Sequence, residues 1–217
     1  MPNQTNDRLD DLLRRGVAQL GLVLDDATLQ KLLDYVALIA KWNKVYNLTA
    51  IRDPERMIAH HLLDSLAVMP HMRAGRWLDV GCGAGLPGLV LAICQPEWQI
   101  TLLDSNTKKT SFVQQAIIEL GLHNAKVCSA RVEEFRAEPK FDGIISRAFT
   151  ELGDFLRITR HLIAPDGRWV AMKGSPEDEM SAVPADCRID EVIPLNVPGL
   201  DAARSVVIAT PTGECAS

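Results

Sequence analysis

The chain has 217 residues, 47% of them hydrophobic and 24% charged, an ordinary globular balance with room for one α/β core and an appendage. A formal net charge of −5 argues against a generic nucleic-acid binder, which carries a basic excess, but leaves room for a basic patch on one face. With no apolar run of membrane-span length, no signal-peptide pattern, and five cysteines and five histidines in neither C-x-x-C nor H-x-x-x-H spacing, we expect a reduced, cytoplasmic, metal-free protein.

Residues 1–75 read as a helical N-terminal extension. A first helix is expected over about 8–20. Asp26 is expected to cap a second, in which Leu29, Leu32, Leu33, Val36 and Ile39 form one apolar stripe. Asp53, Pro54 and Glu55 supply the cap, first position and dipole-favoured acid of a third. Between them, residues 41–49 bring two lysines, Trp42, Tyr46 and two amides into one stretch. That mixture suits contact with a nucleic acid, or equally the packing of this cap onto the sheet. Lys44, Tyr46 and Asn47 are its candidate substrate contacts, with Arg52, Asp64 and Lys173 from further along the chain. His60 and Asp64 are four apart; a local hydrogen bond is preferred over an acid–base pair.

Residues 77–88 organise the rest. An apolar strand (Trp77, Leu78, Val80) enters glycines at 81, 83, 85 and 88, and Pro87 is expected to open a helix over 89–93. Gly83, Gly85 and Gly88 match the dinucleotide fingerprint. Asp79 with Gly81, Gly83 and Gly85 matches the loop of S-adenosylmethionine-dependent methyltransferases. A carboxylate at the strand end repels a pyrophosphate but suits an ammonium and a sulfonium, so the second match is favoured. The next strand, 99–104, ends on Asp104, placed either to accept from ribose hydroxyls or to cap the helix that follows; ribose is favoured.

From residue 76 to 217 strands and helices alternate: strands at 77–80, 99–104, 125–128, 141–146 and 168–172, helices at 87–94, 106–120 and 151–162. Residues 188–197 and 203–210 then form two strands joined through Pro198 and Gly199, with no helix between them. We expect a Rossmann-like α/β domain over 76–217, its seven-stranded sheet ending in an antiparallel hairpin. A dehydrogenase would need a further substrate domain, for which no residues remain. Ligands bind beyond the carboxyl ends of such strands. There Val132 can offer its backbone N–H to an adenine and Glu133 can accept from its amine. The fourth strand end carries neither an Asn-Pro-Pro-Tyr-like motif for exocyclic amines nor a cysteine nucleophile, only Arg147. A donor suits a target with a ready lone pair, such as guanine N7, for which no general base is needed. Arg147 is then a positioning group, holding guanine O6 or the cofactor carboxylate, unless it simply pairs with a neighbouring acid.

Trp42-Asn43-Lys44 with Tyr46-Asn47-Leu48-Thr49, His61 to Ser65, Asp79 to Gly88, Leu103-Asp104-Ser105, Arg131-Val132-Glu133 and Ser146-Arg147-Ala148 together resemble the bacterial RsmG (GidB) family, from about Leu12 to Thr210. The resemblance implies methylation of guanine N7 in the 530 loop of 16S ribosomal RNA, within the small subunit or an assembly intermediate, with S-adenosylmethionine as cofactor. It implies a cofactor site lined by Gly81, Leu86, Val132, Glu133 and Arg147, to which the residues themselves add Asp79, Gly83, Gly85 and Asp104. The tail after Thr210 departs from the pattern and is expected to be disordered. A regulatory nucleotide-binding protein and a small-molecule methyltransferase are the rival readings; the net charge suits the second.

Overall fold

The computed structural model describes residues 3–213. Cys215 and the rest of the tail beyond Gly213 lie outside them; the last strand runs on to Pro211.

Seven strands form one sheet: β1 (Arg76–Val80), β2 (Gln99–Asp104), β3 (Ala125–Ser129), β4 (Phe141–Arg147), β5 (Ile163–Lys173), β6 (Cys187–Pro194) and β7 (Ser205–Pro211). Their order is β3-β2-β1-β4-β5-β7-β6. The first five are parallel; β7 runs antiparallel to both β5 and β6. Parallel strands need crossovers, and α5 (Gly88–Cys94), α6 (Thr107–Glu119) and α7 (Leu152–Thr159) supply three of them. β5 is longer than expected: it begins at Ile163, five residues before the expected strand, and Ile163 pairs with Phe141 across a register shift.

The strand period of two divides the interior. Leu78 and Val80 of β1, Ile144 of β4 and Trp169 of β5 pack with Phe155 and Leu156 of α7 on one face. Trp77, Ile100, Leu102, Ile145 and Val170 face the other side, where α5 and α6 join α1 (Asn3–Gln19) and α2 (Asp26–Tyr46). Leu32, Tyr35 and Ile39 of α2 are completely buried there, so the helical extension shares one core with the sheet. Asp25, not Asp26, caps α2: its Oδ1 accepts from the Thr28 N–H at 2.7 Å, while Asp26 pairs with Arg14. Asp53 caps α3 (Pro54–Met57), which widens into a π-helical turn (Ile58–Leu63) and tightens again as α4 (Asp64–Leu66).

Register aligns the carboxyl ends of the parallel strands. Val80 sits beside Leu103, Asp104 beside Ser129, and Arg147 beside Met172. The antiparallel start of β7 joins this edge, with Ser205 opposite Lys173.

Candidate active site

The glycine loop after β1 is pinned from three directions. The Gly81 and Cys82 N–H groups donate to the Leu103 carbonyl at 2.8 and 3.1 Å. The Gly83 N–H donates to Asp104 Oδ2 at 2.9 Å. From the opposite side the buried Tyr35 hydroxyl donates to the Ala84 carbonyl at 2.6 Å, so α2 braces the loop directly. Gly81 holds φ +68°, a conformation that glycine adopts without steric cost.

Asp79 stands behind this loop, with no exposed surface and no place on a cavity wall. Its Oδ2 accepts from the Gly88 N–H at 2.8 Å, so β1 caps α5, and the helix begins one residue after Pro87. A Cβ at Gly88 would lie 2.7 Å from that oxygen, which is why glycine stands there. Oδ1 has no partner among the described residues. Burial pushes the carboxyl up to about 7, against the Gly88 hydrogen bond and the charge of Arg147.

Two cavities open along the strand ends. The larger, about 470 Å³, is walled by Gly81 to Ala84, Leu86, Arg147 and Lys173, with Thr49, His61 and Asp64 from the helical extension and Arg204 from the start of the hairpin. The smaller, about 320 Å³, is walled by Asp104, Ala130, Val132, Glu133 and Phe149 among others. Gly81, Lys109 and Ala148 line both. Gly83 and Leu86 thus face the larger space with Arg147, while Asp104, Val132 and Glu133 gather around the smaller; Gly85 lines neither. Asp104 is not the cap of α6. Asn106 is, accepting from the Lys108 and Lys109 N–H groups, and Asp104 Oδ1 accepts from the Asn106 N–H at 2.8 Å. Each Asp104 oxygen therefore holds one loop and keeps a second lone pair.

Arg147 leaves β4 and reaches the π-helical turn. Its Nη1 donates to the His60 carbonyl at 2.9 Å and to Asp64 Oδ2 at 3.1 Å. Arg204 donates to Asp64 Oδ1 at 3.0 Å, so one buried carboxylate holds two guanidinium groups. The expected His60–Asp64 hydrogen bond does not form. The π-turn carries the Asp64 N–H back to the Ala59 carbonyl, five residues earlier, and the widened turn takes His60 and Asp64 out of i,i+4 register. Arg147 thus has its acidic neighbour, yet its Nε and Nη2 have no partner among the described residues. His61 is buried, its Nε2 3.1 Å from the Thr49 hydroxyl, and burial together with Arg147 lowers its pKa to about 4. It is neutral at physiological pH. Lys173 is tied to Glu179 at 2.6 Å and to the Thr150 carbonyl at 2.7 Å.

Lys44, Tyr46, Asn47 and Arg52 are exposed and line neither cavity. Arg52 holds the Asn47 side chain at 3.2 Å. Trp42 stacks on Tyr46, centroids 5.2 Å apart, and meets Phe112 of α6 edge-on. Buried Asn43 bonds the backbone at Thr49 on both its amide oxygen and nitrogen, fixing the loop that brings Thr49 to the cavity. Sequence reading missed Arg204 and Phe149. The signal for Arg204 was the hairpin itself: a strand antiparallel to β5 must begin where β5 ends. Four cationic side chains and one anionic one (Lys109, Arg147, Lys173 and Arg204 against Asp64) line the larger cavity, so the acidic chain carries a basic site. Among the described residues no group of three His, Cys, Asp or Glu side chains is placed to hold a metal ion, and no helix is long and apolar enough to cross a membrane.

Residues 28–207 match the model of the GidB family, described as rRNA small subunit methyltransferase G. The ribosomal RNA small subunit methyltransferase G of Laribacter hongkongensis is 52% identical over 200 residues, 92% of this chain and 97% of that one. Its counterpart in Methylobacillus flagellatus is 54% identical over 196 residues, 90% and 95% of the two chains. Among solved structures, a SAM-dependent methyltransferase from Aquifex aeolicus superposes with a TM-score of 0.55 at 18% identity, covering 78% of this chain and 97% of that one. TrmN from Thermus thermophilus superposes at 0.58 and 21%, covering 78% and 53%. The solved structures share the fold. The family model and the relatives share the sequence across nearly the whole chain, and on that ground the chain belongs to the rRNA small subunit methyltransferase G (GidB) family.

Proposed function

We propose that this chain transfers a methyl group from S-adenosylmethionine to N7 of a guanine in 16S ribosomal RNA, on the small subunit or an assembly intermediate. The observation that carries the reading is the pair of adjoining cavities at the strand ends, one presenting the carboxylates of Asp104 and Glu133 with Lys109 and Arg131 beside them, the other cationic around Arg147 and Arg204. Family membership gives the substrate class, and the cationic wall disfavours a small-molecule substrate despite the net charge. The residues fit the cofactor. Asp104 keeps lone pairs for ribose hydroxyls, Glu133 is exposed beside buried Val132, and the backbone of Gly81, Gly83 and Leu86 leads toward Arg147. Asp79, fully buried with one unpartnered oxygen, holds α5 behind the loop.

When bound, the cofactor supplies an electrophilic methyl group on a sulfonium. Guanine N7 has an unshared pair in the ring plane and bears no proton, so accepting that methyl group would require no proton to leave. The side chains therefore have to orient and desolvate rather than deprotonate. Neutral His61 fits that role, since a group with a pKa near 4 is a poor base at pH 7. Arg147, steadied by Asp64 and the His60 carbonyl, keeps Nε and Nη2 for guanine O6 or the cofactor carboxylate. Lys44, Tyr46, Asn47 and Arg52 extend this basic site along the surface as contacts to flanking RNA, with Lys173 at its inner edge. We infer a cytoplasmic location from the ribosomal substrate.

Mapping methylated nucleotides in 16S RNA from cells with and without this protein tests the reading. Loss of a single N7-methylguanine, restored by the purified chain with S-adenosylmethionine, is expected; an unchanged map overturns it. Calorimetry should detect S-adenosylmethionine and not NAD.

A further inference from the structure

The ring of Phe149 lies at the junction of the two cavities. It follows Arg147 and Ala148 at the end of β4, and it is the only Phe, Tyr or Trp among the described residues lining either cavity. The ring covers the Cα of Gly81, where a Cβ would stand 2.3 Å from a ring carbon. Gly81 is common to both cavities, so a ligand that runs along Gly81 from Asp104 and Glu133 to Arg147 meets the ring there.

Phe149 is not a core residue. It is 36% exposed, whereas Trp77, Phe155 and Trp169 are completely buried. Its direction is set by Ala148, which adopts φ +53°, a left-handed conformation that side chains bearing a Cβ hold only where their surroundings impose it. The flanks are fixed. Arg147 is anchored on Asp64 and the His60 carbonyl, the Thr150 carbonyl accepts from Lys173, and the Leu152 N–H donates to Glu179. Only residues 148 and 149 are left to re-aim the ring. The larger cavity offers charge and hydrogen-bond donors but no Phe, Tyr or Trp, its one aromatic ring being that of the buried His61, and bases drawn out of an RNA stack are held in protein sites by exposed aromatic faces.

We propose that Phe149 is a movable aromatic residue that the cofactor lifts off Gly81, and that the freed ring then stacks on the target base beside Arg147. The second half of this rests on the RNA-methylating function proposed above. The arrangement orders the two ligands: the base meets its stacking partner once the cofactor lies across Gly81. It also gives Ala148 a release from its left-handed conformation as part of cofactor binding.

The test uses the full chain with Phe149→Ala and Phe149→Trp. Calorimetry without RNA should show S-adenosylmethionine binding Phe149→Ala as tightly as wild type or more tightly, because the competitor for Gly81 is gone. Indole emission of Phe149→Trp, corrected for the four native tryptophans, should shift as S-adenosylmethionine is added. Single-turnover methyl transfer to small subunits at saturating cofactor should fall by about five- to a hundredfold in Phe149→Ala, the range that loss of one base–aromatic stack gives, and recover in Phe149→Trp. Weaker cofactor binding by Phe149→Ala would mean that the ring belongs to the cofactor site and would overturn the proposal. An unmoved emission, or transfer at the wild-type rate, would overturn it too. Should wild type itself fail to methylate subunits, the proposed function fails, and the two cofactor titrations still decide whether the ring moves.

Discussion

Asp64→Asn isolates the contribution of the carboxylate shared by Arg147 and Arg204. Asp64 is 2% exposed, and the two guanidinium side chains are 21% and 29% exposed. Charge-assisted hydrogen bonds contribute roughly 1.5–3 kcal/mol each, and removing one partner of a buried pair costs about 3–5 kcal/mol. Asparagine keeps one carbonyl acceptor, and both arginines retain some water, so the loss belongs at the low end, about 3 kcal/mol. Arg204→Met should cost less, about 1 kcal/mol, because Asp64 keeps Arg147. The double variant should then be more stable than the two losses added together predict, by about 1 kcal/mol or more, since the pair acts as a unit. Urea unfolding at 0.15 M and 1 M salt (test conditions at which the Debye length falls from about 8 to 3 Å) measures all three. A loss below about 0.5 kcal/mol for Asp64→Asn, or one that vanishes at high salt, would show an exposed pair of little consequence and refute the reasoning.

Tyr35→Phe removes the donor to the Ala84 carbonyl; it should cost about 1 kcal/mol of stability and weaken S-adenosylmethionine binding severalfold, and calorimetry showing unchanged affinity would separate α2 from the loop. Asp79 has a carboxyl raised to about 7 from 3.8, and a raised acid stabilises the fold below its unfolded pKa and loses that stability as pH rises through the folded one. Relative to Asp79→Asn, wild type should therefore lose up to about 4 kcal/mol between pH 4 and 8, from three units at 1.36 each; parallel unfolding curves for the two proteins across that window would contradict it. With His61 neutral and no proton to remove, single-turnover transfer should be nearly flat from about pH 6 to 9, and alanine at His60 or His61 should cost less than the roughly 10²–10⁴-fold of general-base catalysis. A rise near pH 7 that disappears in either histidine variant would mean that a base is at work.

The sheet was readable because its strands are short apolar runs punctuated by glycine and proline, and because 188–210 lacks the helix that a parallel crossover requires. The identity of the strand-end residues followed from the same pattern. The partners of those residues did not. Asp104 is held by Gly83, 21 positions earlier, and by its neighbour Asn106, a division of one carboxylate that no spacing announces. Asp79 is the acid expected beside a ligand, yet it is fully buried and one of its oxygens is taken by Gly88, a contact set by how closely α5 packs on β1. Asp25 and Asp26 are equivalent as cap letters, and the choice between them rests on which side chain reaches the Thr28 N–H. Arg204 lies 140 residues from Asp64 and emerges only when β7 is set against β5.

The π-helical turn over Ile58–Leu63 makes the length of that stretch matter as much as its chemistry. It houses one residue more than an α-helical path would. Within it His61 meets Thr49, and just past it Asp64 meets Arg147 and Arg204. Deleting Leu62 or Leu63 would heal the helix but leave His61 and Asp64 two residues apart instead of three, so that they point in different relative directions around its axis. One contact would be kept and the other lost. Substitutions at the partly exposed positions here, such as Ala59, are tolerable within that frame, whereas a three-base deletion of Leu62 or Leu63, which leaves every remaining residue unchanged, would break the hold on Thr49 or on the two arginines.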